Sequence, residues 1–445
     1  MTMIKTSYQP ELCLVKGMRL IMEYIENDIK KGVKLHILKT DKFKTNLIAV
    51  FLTTGIQKET VTKNALISAV LRRGTNTMKT QEEISKKLEE LYGASFDCGV
   101  DKTGDNQVLK FYIESVNDKF LPQQGENMLK SSIDNLFEIV FNPLIENKGF
   151  KQEYVEQEKQ NMKQRIEGKI DNKARYALDR CIEEWYKDKA FGLYKFGYVE
   201  DLKEINEENL YEQYKTLINT CKVDIWISGD IQPEEKNLAY ENQYIQKLTE
   251  REAKYQTQNE KNERNIGEII EEKDVTQGKL VIGLSVNSEN EEEKYTALVY
   301  NHILGGSANS KIFQNVREKA NLAYAASSNY FRYKDNIFIN CGIEIENYHK
   351  AVELIKAQIE DMKNGKFTEE ELENAKKSII AMIHTIDDEQ DTGIMYYFGQ
   401  ELSNNKNSLE DYVKKIENVK KEDIVKIASR VQMNIIYFLR NKSKS

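Results

Sequence analysis

Leu304-Gly305-Gly306, then Phe313-Gln314-Asn315-Val316-Arg317-Glu318-Lys319-Ala320-Asn321-Leu322-Ala323-Tyr324, decides how the rest of the chain is read. Two adjacent glycines after an apolar segment mark a helix end and a tight turn. The helix they close opens at Ala297-Leu298-Val299, and the strand before it is Leu280 to Val286. The same order stands earlier: a strand at Leu47 to Leu52, a helix opening at Ala65-Leu66-Ile67, then Leu71 and Gly74. Farther out, Val352, Ile355, Ile359 and Met362 repeat the apolar helix face of Leu129, Ile133, Leu136 and Val140. Phe367-Thr368-Glu369-Glu370-Glu371-Leu372 opens a helix as Phe150-Lys151-Gln152-Glu153-Tyr154-Val155 does, and the strand Ile435 to Leu439 answers Val223 to Ile227. An ordered series of this kind predicts two similar domains.

Further elements fill in the plan. Val33 to Leu38 and Val108 to Ile113 read as strands; Lys63 to Leu71, Thr80 to Tyr92 and a long region from Lys151 to Trp185 read as helices. The fold class is α+β, each domain an antiparallel or mixed sheet with helices packed on one side. The expected boundaries are an N-terminal extension over 1–31, a first domain over 32–240, a linker over 241–279 and a second domain over 280–445. The linker is rich in Gln, Asn, Glu and Lys, and reads as solvated chain.

Composition narrows the function. A formal net charge of -7 argues against nucleic-acid binding. No apolar run reaches the roughly 18 residues of a membrane span. The N-terminus lacks the apolar core and small-residue cleavage site of a secretory signal. The five cysteines, Cys13, Cys98, Cys181, Cys221 and Cys341, are scattered and odd in number, which predicts reduced thiols and a cytoplasmic location. Gly305-Gly306 lacks phosphate-loop spacing. Ser68 has no His base near it in sequence, so it does not read as a nucleophile. The acidic runs Glu291 to Glu293 and Glu369 to Glu371 fit helix N-termini. Tyr330, Phe331 and Tyr333 read as core or cross-strand rings before they read as a cavity wall.

Several strings resemble the insulinase/pitrilysin/mitochondrial-processing-peptidase family, from about Gly32 to about Leu439. Leu71-Arg72-Arg73-Gly74-Thr75 looks like the segment after its H-x-x-E-H. Phe141-Asn142-Pro143-Leu144, then Val155-Glu156-Gln157-Glu158-Lys159, looks like its N-P-L and V-E-x-E-K run. Gly197-Tyr198-Val199-Glu200-Asp201-Leu202 resembles its G-T-x-E-D-L segment, and Ser228-Gly229-Asp230 the turn closing its first domain. The opening stretch matches its L-G-G and F-x-x-L-R-E-K-x-G-L-A-Y. The resemblance implies two α+β domains forming halves of a clam-like chamber around a peptide.

The departures decide the function. Where the family carries H-x-x-E-H, this chain has Asn64-Ala65-Leu66-Ile67-Ser68-Ala69, so Ala65, Ser68 and Ala69 replace two imidazoles and a glutamate. The resemblance puts the third zinc ligand at Arg165, a cation. The only histidines are His36, His302, His349 and His384, and no two share metal-binding spacing. No metal and no cofactor is therefore expected. Arg317 and Tyr324 match the family's arginine and tyrosine, which the resemblance implies donate hydrogen bonds to a peptide substrate. From the residues alone, Arg317 reads first as an exposed helix residue paired with Glu318 or a neighbour, and Tyr324 as a strand residue with a wet hydroxyl; the surrounding string favours the functional reading.

Three readings follow. The chain is expected to be the non-metal subunit of a heterodimer, lending Arg317 and Tyr324 to a zinc-bearing paralogous subunit. It resembles in this the YmfF-like branch of small bacterial members. The alternatives are a non-enzymatic peptide-binding or scaffold protein, and an enzyme with an unrecognised site. Homodimerisation of the isolated chain remains open.

Overall fold

The computed structural model describes residues 22–122, 127–257 and 264–442. The first half builds a six-stranded sheet from β1 (Glu23–Lys30), β2 (Val33–Lys39), β3 (Thr45–Gly55), β4 (Ser95–Thr103), β5 (Asn106–Val116) and β8 (Lys222–Gly229), with a short ribbon of β6 (Ile145–Glu146) and β7 (Gly149–Phe150) beside it. The sheet runs β1-β2-β8-β3-β5-β4, and only β2 and β8 pair in parallel. Its helices are α1 (Val61–Leu71), α2 (Gln81–Glu90), α3 (Met128–Phe141), α4 (Gln152–Glu167), α5 (Lys173–Trp185), α6 (Glu207–Thr220), and the short α7 (Asn237–Tyr240) and α8 (Gln243–Lys247). The second half builds a five-stranded sheet from β9 (Gly267–Glu272), β10 (Gly278–Ser285), β11 (Ala323–Phe331), β12 (Asn336–Ile343) and β13 (Gln432–Arg440), with α9 (Glu291–Leu304), α10 (Tyr348–Lys363), α11 (Glu369–His384), α12 (Gln390–Leu402), α13 (Leu409–Glu417) and α14 (Lys421–Arg430).

The repeat read from the sequence is physical. The second sheet runs β9-β13-β10-β12-β11, again with one parallel pair, β9 with β13. Strand for strand this is β2-β8-β3-β5-β4. The acidic runs sit where the helix dipole favours them: Glu291 to Glu293 open α9, and Thr368 with Glu371 forms a capping box on α11. Gly305 and Gly306 do end α9, both N–H groups donating to the Asn301 carbonyl.

Three segments differ from expectation. Part of 241–279 is sheet: Gly267–Glu272 pairs along β13 and is the second half's counterpart of β2. Its alternation puts Glu268, Glu271 and Glu272 on an edge strand, so composition disguised it as linker. Part of 1–31 is sheet as well, since Glu23–Lys30 pairs with β2; residues 1–21, with Cys13, lie outside the described residues. The long helix from Lys151 breaks at a 3-10 turn, Gly168–Asp171, and restarts at Asn172, whose side chain caps α5 at the Arg175 N–H.

That break redirects α5. α1, α3, α4 and α6 cover one face of the first sheet, and α9, α10, α11, α13 and α14 one face of the second. The opposite faces are covered by exchange. α5 lays Leu178, Ile182 and Trp185 on Val281, Phe338, Ile435 and Tyr437 of the second sheet. Gly283 makes room, for a Cβ there would come within 2.8 Å of the Trp185 ring. α12 lays Ile394, Tyr397, Phe398 and Leu402 on Leu38, Ala49, Phe51 and Trp226 of the first. The halves are thus joined through two apolar contacts. Burial of several large rings at each contact stabilises the pairing by about 1.5–3 kcal/mol per ring.

Candidate functional site

α1 carries the stretch that the resemblance sets against H-x-x-E-H. Ala65 is fully buried, Ser68 nearly so, and the Ser68 hydroxyl donates back to the Ala65 carbonyl at 2.8 Å. Leu66, Ile67, Val70 and Leu71 beside them belong to the first core, so α1 is buried nearly all round. Arg165 stands exposed on α4 with its guanidinium over the Phe196 ring, 5.0 Å from the centroid. The buried Glu158 on α4 is taken by Arg73, whose Nη1 donates to Oε1 at 2.8 Å. The Cys98 Sγ donates to the Ser68 carbonyl at 3.5 Å, and burial pushes its thiol up to about 11, so it stays protonated.

These residues do not fit a zinc ion. Two methyls, a hydroxyl turned onto its own helix, a guanidinium and a neutral thiol offer no set of three donors. The histidines lie elsewhere: His36 on β2, His302 on α9, His349 on α10 and His384 on α11. Among the described residues, no group of three or more His, Cys, Asp and Glu side chains could hold a metal ion.

The second half places Arg317 and Tyr324 on the two arms of one tight turn. Arg317 sits in a π-helical turn, Phe313–Lys319, a form that marks functional sites more often than ordinary helix does. The chain then reverses at Asn321, whose φ of 51° is left-handed. Asn321 N–H donates to the Arg317 carbonyl at 3.1 Å and Leu322 N–H to the Val316 carbonyl at 3.0 Å. Tyr324 follows as the extra residue of a β-bulge, because Ala323 and Ala325 pair with Ile343 and Gly342 and leave it unmatched. A bulge re-aims the side chain it carries. Tyr324 is 64% exposed. Its hydroxyl donates to Glu344 Oε1 at 2.6 Å, and that bond holds the phenol above its ordinary range. Arg317 lies over the Phe313 ring, 4.5 Å from the centroid, with Glu318 Oε1 3.6 Å from its Nε.

The sequence reading passed over a charged chain at the α12 contact. The His36 ring accepts or donates at both nitrogens, to the Tyr24 hydroxyl at 2.8 Å and to Asp224 Oδ1 at 2.9 Å. Lys222 also donates to Asp224 Oδ1, and reaches Glu401 of α12 at 3.1 Å; Lys34 reaches the same Glu401 at 2.9 Å. The signal was present in β8, where Lys222 and Asp224 alternate inside an otherwise apolar strand and so share one sheet face. Of the three aromatic residues near the next hairpin, Tyr330 donates to Asp335, Phe331 meets Phe338 edge-on, and Tyr333 donates to the Gly399 carbonyl of α12.

Comparison with known proteins agrees with this geometry. The family model "Peptidase M16 inactive domain" matches residues 204–379. "Probable inactive metalloprotease YmfF" of Bacillus subtilis is 36% identical over 425 residues, covering 94% of this chain and 99% of the relative. "Uncharacterized zinc protease YmxG" of the same organism is 23% identical, covering 79% of this chain and 81% of its own. Among solved structures, a conserved protein from Enterococcus faecalis superposes with a TM-score of 0.87 at 28% identity, covering 95% of this chain and 99% of the other. A peptidase M16 inactive domain from Pseudomonas fluorescens gives 0.76 at 17% identity, covering 95% and 99%, a likeness of fold. With two α+β halves of matching strand order and a relative 36% identical along almost its whole length, the chain belongs to the M16 family, that of insulinase, pitrilysin and the mitochondrial processing peptidase, as an inactive homologue.

Proposed function

We propose that this chain is the non-metal subunit of a heterodimeric insulinase-type peptidase, presenting Arg317 and Tyr324 to a peptide held against a zinc-bearing paralogous subunit. The observation that carries this reading is the unequal fate of the two sites. The zinc helix has become core, while a guanidinium and a phenol stay exposed on the two arms of one turn. Both groups are donors suited to a peptide carbonyl and to the oxyanion it becomes. Glu344 orients the phenol and yields it when a carbonyl competes. The chemistry of bond cleavage belongs to the partner.

A bacterial, cytoplasmic setting belongs to the same proposal. Cys98, Cys181, Cys221 and Cys341 are free, and among the described residues no helix is long and apolar enough to cross a membrane. The second reading is a peptide-binding scaffold without hydrolysis. It draws on Tyr324 and Arg317 already having partners in Glu344 and Phe313.

The test is peptide hydrolysis by the chain co-purified with an H-x-x-E-H paralogue from the same genome. Arg317→Ala and Tyr324→Phe are expected to lower kcat by about 10²–10³ each, the usual loss for one oxyanion donor. Turnover equal to wild type in both variants rejects the subunit reading and leaves the scaffold.

A further inference from the structure

Between the two halves the packing leaves a cavity of about 420 Å³. Residues 101–104, the end of the β4–β5 hairpin, and 191–195 form its first-half wall together with α5; residues 331–334 and α12 form the other. Three tyrosines make a stack on the second-half side, Tyr295 edge-on to Tyr412 at 5.2 Å and Tyr396 face to face with Tyr412 at 6.0 Å.

The charges around this cavity are matched in pairs, with one exception. Lys195 meets Asp101 at 2.9 Å, Arg175 meets Asp179 at 3.0 Å, Arg332 meets Glu291 at 3.1 Å and Lys334 meets Asp105 at 2.9 Å. Lys102 has no carboxylate within ion-pair reach among the described residues. Its ammonium donates to the Phe191 carbonyl at 2.6 Å and the Leu193 carbonyl at 2.9 Å, and lies 4.6 Å from the Phe191 ring centroid. An ammonium has three donors, so one remains.

We propose that this cavity binds a small organic acid, one carboxylate on an apolar ring-sized body, with the carboxylate on Lys102 and the ring among the tyrosines. The volume lies within the roughly 300–1,000 Å³ of small-molecule sites. One unmatched cation asks for one negative charge, and the neighbouring Asp101, Asp179 and Glu183 would repel a phosphate dianion. Burial holds Lys102 down at about 8; Asp179 and Glu183 pull it up, while Lys169 and Arg175 push it down. At pH 7 the ammonium is therefore still charged, and a bound carboxylate stabilises it further. This inference stands apart from the roles of Arg317 and Tyr324.

The test is calorimetric titration of the full chain with phenylacetate, 3-phenylpropionate and indole-3-acetate, each against its primary amide. At least one acid is expected to bind at least tenfold tighter than its amide. Its affinity should fall about tenfold per pH unit above about 8, where Lys102 loses its proton. Lys102→Met should remove the preference for acid over amide. Because that variant could fold poorly, acetic anhydride labelling of the unaltered chain serves as a second readout, with the acid and not the amide protecting Lys102. Failure of all three acids to bind, or binding that leaves Lys102 equally labelled, overturns the proposal.

Discussion

The two halves share a strand order and differ in what they do with polar groups. In the first, Ala65 and Ser68 are packed in the core, and His36, Asp224 and Lys222 are hydrogen-bonded together under α12. In the second, Arg317 and Tyr324 stand at the surface, one on a π-turn and the other on a bulge. The first half should therefore be sensitive to polar change inside, and the second tolerant of change at Arg317 and Tyr324 on its surface.

The largest break in this comparison is expected at Asp224. Asp224→Ala leaves His36 facing no carboxylate and Lys222 with Glu401 alone, and should cost about 3–5 kcal/mol in urea unfolding. Burial would lift the Asp224 carboxyl, but Lys222 and His36 together hold it at about 2, below its ordinary 3.8. A depressed carboxyl contributes stability that is whole above that ordinary value and lost as pH falls through about 2, here on the order of 2 kcal/mol. Acid unfolding of the unaltered chain should show this loss, and Asp224→Asn should not.

A graft sharpens the comparison next. Ala65→His, Ser68→Glu and Ala69→His together restore H-x-x-E-H. Ala65→His and Ser68→Glu also push large polar groups into the core, at a cost of about 3 kcal/mol. Elemental analysis should find well under one zinc per chain, since among the described residues no third His, Cys, Asp or Glu completes a metal-holding group there. The smallest effect is expected at the surface pair. Arg317→Ala and Tyr324→Phe should leave the thermal unfolding midpoint where it is, because neither side chain is buried and their partners Glu318 and Glu344 stay solvated.

Much of the frame was legible because it is written in apolar periodicity. The helix faces around Leu129 and Val352, and the buried strands Leu47 to Leu52 and Leu280 to Val286, carry signals that tertiary context did not override. β9 was not legible, since an exposed edge strand with three glutamates has the composition of a linker. That Ala65 and Ala69 carry no metal donor follows from their side chains alone, while Arg317 and Tyr324 were singled out by the resemblance. Their surroundings could not be read. Glu344 reaches Tyr324 only because β11 and β12 pair, and the ion pair of Lys334 with Asp105 near Lys102 joins the two halves. Non-local pairing of this sort leaves no mark in a local window.

The exchange of α5 and α12 has a consequence for synthesis on the ribosome. The outer face of the first sheet, with Phe51 and Trp226, is complete once β8 has formed, yet its cover, Gln390–Leu402, is made about 160 residues later. At roughly 5–20 residues per second, that face waits about ten to thirty seconds in the open. A nascent chain with such an interval is a natural client for a holding chaperone.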